Sequence, residues 1–374
     1  MTPPRSVLVA PDKFKGTLTA REAATAIRAG LQRTWPQAAI RTATLADGGE
    51  GFTAALVEAT AGKLDAVDTV DALGRPCLAV WGILGDGATA CVDLAAASGL
   101  AQIPAELRNP SATSTYGTGL VLRAIAARGL HNVIIGLGGS ATNDGGIGAA
   151  AALGFRFLDS QGNPVALTGG GLAAIARIEA PAPPIPLRIV IATDVDNPLC
   201  GPDGAARRYG AQKGASAAQI EELDHALRHF ATIAQRMGAR DLASAPGAGA
   251  AGGCGYGFMA LLGATRSSGF EVIRAHLRLD ELIRSSDLVV TGEGAFDATT
   301  LAGKGPARLA ELTRAIGRPV WGIFGRIDPG TPQQLFDRAT TLPPTSESAL
   351  STLTADQHRQ RLELAASELA RQAT

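Results

Sequence analysis

The 374-residue chain has no excess of charge of either sign: 34 basic residues balance 34 acidic ones, and only 18% of positions are charged. Without a basic field, nothing drives nonspecific binding to a phosphate backbone, which argues against a nucleic-acid partner. Aromatic residues are scarce, at 4%, so there is little surface on which bases could stack. The four cysteines, Cys77, Cys91, Cys200 and Cys254, are widely spaced and form no C-x-x-C pair. Their spacing argues against a zinc site and for a reducing compartment. Long apolar runs are also missing. The longest uncharged stretch, Leu242 to Thr265, is mostly Gly, Ala, Ser and Pro, a poor membrane span. The N-terminal "MTPPRSVLVAPDKF" reaches charge too early for a signal peptide. The expectation is a soluble, cytoplasmic protein with no membrane partner, long enough for two domains.

What is abundant is short β-branched runs alternating with alanine-rich helical patterns, the signature of an α/β protein with a parallel sheet. "SVLVAPD" reads as a first strand, and Thr19 with Glu22 forms a capping box for the helix that follows. "IRTATLADGGEG" is a strand, a glycine loop and a helix from about Phe52. In the middle, "CLAVWGIL" and "ATACVDLA" flank Gly85-Asp86-Gly87, an antiparallel hairpin signal. "NVIIGL", "FRFLD" and "LRIVIATD" are further strands, and a long helix follows Ser216, whose Gln219 completes a second capping box. "DLVVTGEG" and "PVWGIFG" return to buried strands with a helix between them. The expected architecture is a doubly wound, Rossmann-like parallel-sheet domain built from residues 1–75 and 285–374. A large mixed α/β domain, residues 76–284, is inserted in it.

In doubly wound folds, ligands bind beyond the carboxyl ends of the strands. At four such ends, glycine stands beside charged residues: Asp12, Lys13 and Lys15; Asp47, Gly48, Gly49 and Glu50; Asp194, Asp196 and Asn197; Glu293, Asp297 and Lys304. A fifth segment, "GLGGSATNDGG" (Gly136 to Gly146), crowds Ser140, Thr142, Asn143 and Asp144 among five glycines. Phosphoryl transfer asks for this inventory. Phosphates need backbone N–H groups at helix N-termini, Mg²⁺ needs one or two carboxylates, and developing charge needs a cation. Asp194 is the expected general base, since Pro198 and Gly201 break the chain after "IVIATD" and present it at a bend. Asp144, Glu293 and Asp297 compete with it for that role. Each element has a plainer account: Asp47 as a turn residue, Thr142 to Asp144 and Asp194 as caps, and Lys13 and Lys15 as solvated charges. His225 and His229 lie four apart on a charged helix without the Glu of H-E-x-x-H, so a solvated face is expected.

No G-x-x-x-x-G-K-[ST] is present, which excludes a Walker-type ATPase. "GLGGSA" matches G-x-G-x-x-A with Asp159 downstream, so an NAD(P)-dependent hydroxyacid dehydrogenase is the rival enzyme class. A small-anion binding module without turnover is a third class, although it has no use for several carboxylates beside its anion loops.

Eight segments in order carry a resemblance: "APDKFKGTLTA", "ADGGEG", "ATSTYGTG", "IGLGGSATNDGG", "DVDNPLCGPDGAA", "QKGA", "GAGAAGG" and "TGEGAFDATTLAGKGP". From Val7 to the mid-300s the sequence resembles the type-1 glycerate kinase family. It departs mildly where the family commonly has Ser at Lys13 and often Arg at Ala295, while Lys15, Glu293 and Asp297 match. The resemblance implies phosphorylation of D-glycerate by ATP with Mg²⁺, with 2-phosphoglycerate the usual bacterial product, in a cleft between two domains. Together these readings make Asp194 and Lys15 the expected catalytic residues, and Glu293 and Asp297 the expected metal ligands. Lys13, Asp47, Gly48, Gly49, Glu50, Ser140, Thr142, Asn143, Asp144, Asn197, Lys213 and Lys304 are expected to bind substrate or phosphate. Whether the chain forms a homo-oligomer is left open.

Overall fold

The computed structural model describes residues 2–14, 16–45, 48–49, 51–297, 300, 305–332, 334–343 and 353–373. The chain divides into two compact units, one made of Met1–Asp47 and Phe270–Thr374, the other of Gly48–Gly269.

The first unit opens with β1 (Ser6–Val9), α1 (Ala20–Thr34) and β2 (Ala39–Thr42). The second carries α2 (Phe52–Ala59), β3 (Lys63–Val70), β4 (Pro76–Ile83), β5 (Thr89–Asp93), α3 (Ala95–Ser98), α4 (Tyr116–Ala127), β6 (Asn132–Gly136) and α5 (Ile147–Ala152). It continues through β7 (Arg156–Leu158), β8 (Arg177–Glu179), β9 (Arg188–Ala192), α6 (Ala205–Tyr209), α7 (Ala217–Arg236), α8 (Ala250–Leu261) and β10 (Thr265–Ser267). The first unit is completed by α9 (Gly269–Leu277), α10 (Leu279–Arg284), β11 (Leu288–Phe296), α11 (Gly305–Ala315), β12 (Val320–Ile327), β13 (Arg338–Thr341) and α12 (Ala355–Arg371).

In the first unit, five strands pair in the order β13-β12-β11-β1-β2, all parallel. α1 starts at the expected box, with Thr19 and Glu22 each accepting from the other's backbone N–H. Ala23, Ile27, Gly30 and Leu31 recur at helical spacing and form its buried face. That face shares a core with Val7, Val9, Trp321 and, on α12, Leu362, Ala366 and Leu369. Each fully buried Leu or Ile there contributes about 1.5–3 kcal/mol over exposure.

The second unit holds a six-stranded sheet in the order β10-β9-β6-β5-β4-β3. β10, β9, β6 and β5 are parallel, and β4 and β3 add an antiparallel edge. The Gly85-Asp86-Gly87 turn joins β4 to β5 as the sequence suggests, with Asp86 accepting from the N–H groups of Ala88 and Thr89. β3 was not anticipated: as an edge strand it exposes Lys63, Leu64 and Asp68 and carries no buried-strand pattern. α7 begins at the Ser216–Gln219 capping box.

The units divide at residues 47/48 and 269/270 rather than near 75 and 285. Residues 63–70 belong with the second unit because β3 pairs along its whole length with β4. At the other boundary, Arg41 in β2 donates to Ser285 Oγ at 2.6 Å, tying the end of α10 into the first unit.

Candidate active site

In the second unit the register aligns Asp93, Gly136, Ala192 and Ser267 at the carboxyl edge of the four parallel strands. Asp93, which sequence reasoning missed, receives the N–H groups of Gly51 (3.1 Å) and Thr53 (2.9 Å) and the Thr53 hydroxyl (2.7 Å). It thereby caps α2 and fixes the turn before it. Gly48 and Gly49 lie over that edge, where Gly48 accepts from Gly138 N–H at 2.9 Å. A Cβ on Gly138 would stand 2.4 Å from the Gly49 Cα, so the approach of the two loops requires glycine there. The strand end at Asp93 carries the same acid-after-strand signal as those already singled out, without a neighbouring glycine.

Thr142, Asn143 and Asp144 are fully buried. The Asp144 carboxylate accepts from Thr115 N–H and Thr115 Oγ1 (2.7 Å each), Gly146 N–H (3.1 Å) and Gly148 N–H (3.2 Å). Burial nevertheless drives its carboxyl above the ordinary carboxylate range against these donors. The N–H groups at the N-termini of α4 and α5 are thus already taken up by a carboxyl group of the chain itself. The N–H of Gly146, the last residue of the glycine-rich segment, is turned to Asp144 together with that of Gly148.

Lys213, on the short 3₁₀ turn Ala211–Lys213, is 2% exposed. Its Nζ donates to Ser140 Oγ at 2.9 Å and to the Thr142 carbonyl at 2.7 Å. Burial lowers its pKa from 10.5 to about 8, with the Asp144 and Cys254 groups pulling the other way. Beside it, Thr142 Oγ1 and both amide atoms of Asn143 are buried with no hydrogen-bond partner among the described residues. The structure therefore brings Ser140, Thr142, Asn143, Asp144 and Lys213 into one polar cluster, joined by Thr115, which sequence reasoning also missed.

Beyond the end of β9, Asp194 Oδ1 accepts a cap-like hydrogen bond from the N–H of Gly269, the last residue of the second unit, at 3.1 Å. Asp196 pairs with Arg266 at 2.5 Å, and Asn197 Nδ2 reaches the Pro198 carbonyl at 3.4 Å. The loop that follows is anchored by buried Asp224 on α7, which accepts from Gly201 N–H at 2.7 Å and pairs with Arg228.

In the first unit, the carboxyl edge carries Asp12, Lys13, Glu293 and Asp297. Asp12 N–H donates to the Gly292 carbonyl at 2.9 Å, which sets Asp12 beside Glu293, and both are at most 6% exposed. Asp12 Oδ1 accepts from Lys13 N–H at 2.7 Å. Asp297 Oδ1 accepts from Thr300 N–H at 3.0 Å. Lys15, Asp47, Glu50 and Lys304 lie outside the described residues. Among those described, no group of three or more His, Cys, Asp or Glu side chains is placed to hold a metal ion.

The dehydrogenase reading does not survive this geometry. β7 pairs with β8 in a separate two-stranded antiparallel ribbon, so Asp159 does not end the next strand of a parallel sheet. Asp159 instead turns its own loop, accepting from Gln161 and Asn163 N–H. Of the histidine pair on α7, His225 is exposed, but His229 is half-buried with Nε2 2.7 Å from the Ile175 carbonyl oxygen. An apolar hollow lined by Leu153, Phe155, Pro181, Leu187 and Leu261 lies by the amino end of β9 and carries no charged side chain. No helix among the described residues is long and apolar enough to cross a membrane.

Residues 7–374 match the model of the glycerate kinase family. The chain is 43% identical over 325 residues to a glycerate 2-kinase of Escherichia coli K12, covering 86% of this chain and 85% of that one. It is 44% identical over 328 residues to a glycerate kinase of Halalkalibacterium halodurans, covering 87% and 86%. A crystal structure from Salmonella typhimurium LT2, assigned as a glycerate kinase 2, superposes with a TM-score of 0.86 at 38% identity and 98% coverage of both chains. With residues 7–374 matched by the family and its parallel strand ends lined by acids, cations and glycines, the chain belongs to the glycerate kinase family and is an enzyme.

Proposed function

We propose that the enzyme transfers the γ-phosphoryl group of ATP to the 2-hydroxyl of D-glycerate, giving 2-phosphoglycerate and ADP. The observation that carries this is the 43% identity, over most of both chains, to a relative named a glycerate 2-kinase. Glu293 and Asp297 suit Mg²⁺, because they are hard oxygen donors at the carboxyl end of β11, and Mg²⁺ uses one or two carboxylates beside phosphate oxygens and water. When bound, Mg²⁺ neutralises charge on the phosphates. Glu293 and Asp297 are its ligands in this scheme, and Lys13, Lys15, Lys304, Asp47, Gly48, Gly49 and Glu50 meet polar and anionic groups of the substrates. The five-stranded sheet of the first unit is read as Rossmann-like.

The alcohol loses its proton as its oxygen bonds to phosphorus and the bond from the γ-phosphorus to the bridging oxygen of ADP breaks. Asp194 is assigned as acceptor of that proton. Its contact with Gly269 N–H offers a sharp test, because asparagine retains an acceptor oxygen and caps helices as well as aspartate does. Asp194→Asn should lower kcat by roughly 10²-fold or more, with an unchanged Tm and an unchanged Kd for ATP. Near-normal kcat would leave Asp194 a cap and nothing more. Proton NMR of the product decides the position: a shift at the C2 proton supports the 2-phosphate, and a shift at the C3 protons refutes it.

A further inference from the structure

We propose that Ser140 donates a hydrogen bond to an anionic oxygen of a bound substrate, and that Lys213 is the positioning residue that obliges it to do so. The proposal rests on the phosphoryl-transfer reading above and assigns a division of labour within its second-unit residues.

An ammonium group has three donors and no acceptor. Lys213 Nζ lies 2.9 Å from Ser140 Oγ, so in this pair the serine oxygen accepts. A hydroxyl has one hydrogen, and Ser140 must therefore direct it away from the ammonium. Among the described residues no other group hydrogen-bonds to that hydroxyl. Ser140 is also the most exposed of residues 140–144, at 7%, against 0% for Thr142, Asn143 and Asp144. With no acceptor for it among the described residues, its hydrogen is left for a ligand at the carboxyl end of β6, where parallel α/β sheets bind ligands. A hydroxyl whose oxygen already accepts from a cation is a stronger donor, and such a donor favours an anionic acceptor over a neutral one.

Lys213 is placed to act through Ser140 rather than on the ligand. It is 2% exposed, and its second bond, to the Thr142 carbonyl at 2.7 Å, pins the ammonium beneath the loop. Asp144 and the Cys254 thiol are the titratable groups that act on it. Thr142 Oγ1 and the Asn143 amide, buried beside Ser140 without partners among the described residues, add an independent sign that this segment is built for polar company those residues do not supply.

The anionic oxygen has two sources, the carboxylate of D-glycerate and a phosphate of the nucleotide. Calorimetric titration of D-glycerate and, separately, of Mg²⁺ with a non-hydrolysable ATP analogue distinguishes them. Ser140→Ala should weaken one of the two ligands by roughly tenfold to a hundredfold, the loss expected for a hydrogen bond to a charged group, and leave the other within about twofold. The affected ligand names the source. Ser140→Thr should restore binding. Lys213→Met should weaken the same ligand, and the double variant should bind it no more weakly than Ser140→Ala alone. A purely structural lysine would instead add its effect to that of Ser140→Ala. Should Lys213→Met not fold, the two Ser140 variants still decide. If wild type binds both ligands and Ser140→Ala is indifferent, the Ser140 assignment alone is overturned. If wild type binds neither, the phosphoryl-transfer reading falls and takes the assignment with it.

Discussion

At the residue scale, Lys213 and Asp144 are the costly features. Taking an ammonium and a carboxylate out of water is expensive, and chains keep such groups where they have a use for them. The cost of Lys213 has a measurable sign. Its pKa is about 10.5 unfolded and about 8 folded, so between these values the unfolded chain binds more protons than the folded one. Stability then rises with pH in that window, and below it the full penalty is present. The Cys254 thiol, pushed well above its usual value by burial, opposes this trend only above about pH 9. Chemical denaturation should therefore show the stability gap between wild type and Lys213→Met shifting by about 1 kcal/mol in favour of wild type from pH 8 to pH 9. A pH-independent gap would mean that Lys213 keeps an ordinary pKa in the folded protein.

At the scale of elements, the start of α8 is broken by three successive left-handed residues, Ala251 (φ 52°), Gly252 (φ 67°) and Gly253 (φ 85°). Alanine in that region costs roughly 1–2 kcal/mol, so Ala251→Gly should leave the protein as stable as wild type or up to about 1 kcal/mol more stable. Gly252→Ala should be severe. Its Cβ would stand 2.0 Å from the Thr142 carbonyl oxygen, the atom that receives Lys213. Thermal melts should place Gly252→Ala well below wild type and Ala251→Gly at or above it, and a Gly252→Ala protein with wild-type Tm would show that the loops can part. The contrast also shows what the sequence disclosed. Helix starts at Thr19 and Ser216 were legible because a capping box is local, and buried strands such as "NVIIG" were legible because both faces are apolar. β3 was not, since an edge strand owes its place to β4 rather than to its own pattern. Likewise the acid and glycine residues of the strand ends could be found, but not their partners. Nothing local says that Asp144 would turn inward to Thr115, or that a lysine some seventy residues away would reach Ser140 (a separation of 73). Functional groups show in a sequence as residue types, whereas their direction is decided by contacts between distant segments.

At the scale of the whole molecule, the second unit is one continuous stretch with its own cores, whereas the first is assembled from two. A fragment spanning Gly48–Gly269 should therefore fold alone and unfold cooperatively, with a near-ultraviolet signal from fully buried Trp81. A fragment of residues 1–47 should not, because β1 lacks β11 and α1 lacks the α12 residues that share its core. A second-unit fragment with secondary structure but no near-ultraviolet signal would refute the independence of its cores. The same discontinuity sets a schedule. Arg5 N–H meets Asp287 Oδ2 at 2.9 Å across 282 positions of chain. At roughly 5–20 residues per second, a ribosome needs on the order of a quarter of a minute to a minute to deliver the second half of that pair. For that interval Val7, Leu8 and Val9 present an unmatched strand edge while the enclosed unit can already be complete. The nascent chain, rather than the finished enzyme, is then the form of this protein most exposed to aggregation and most in need of a chaperone.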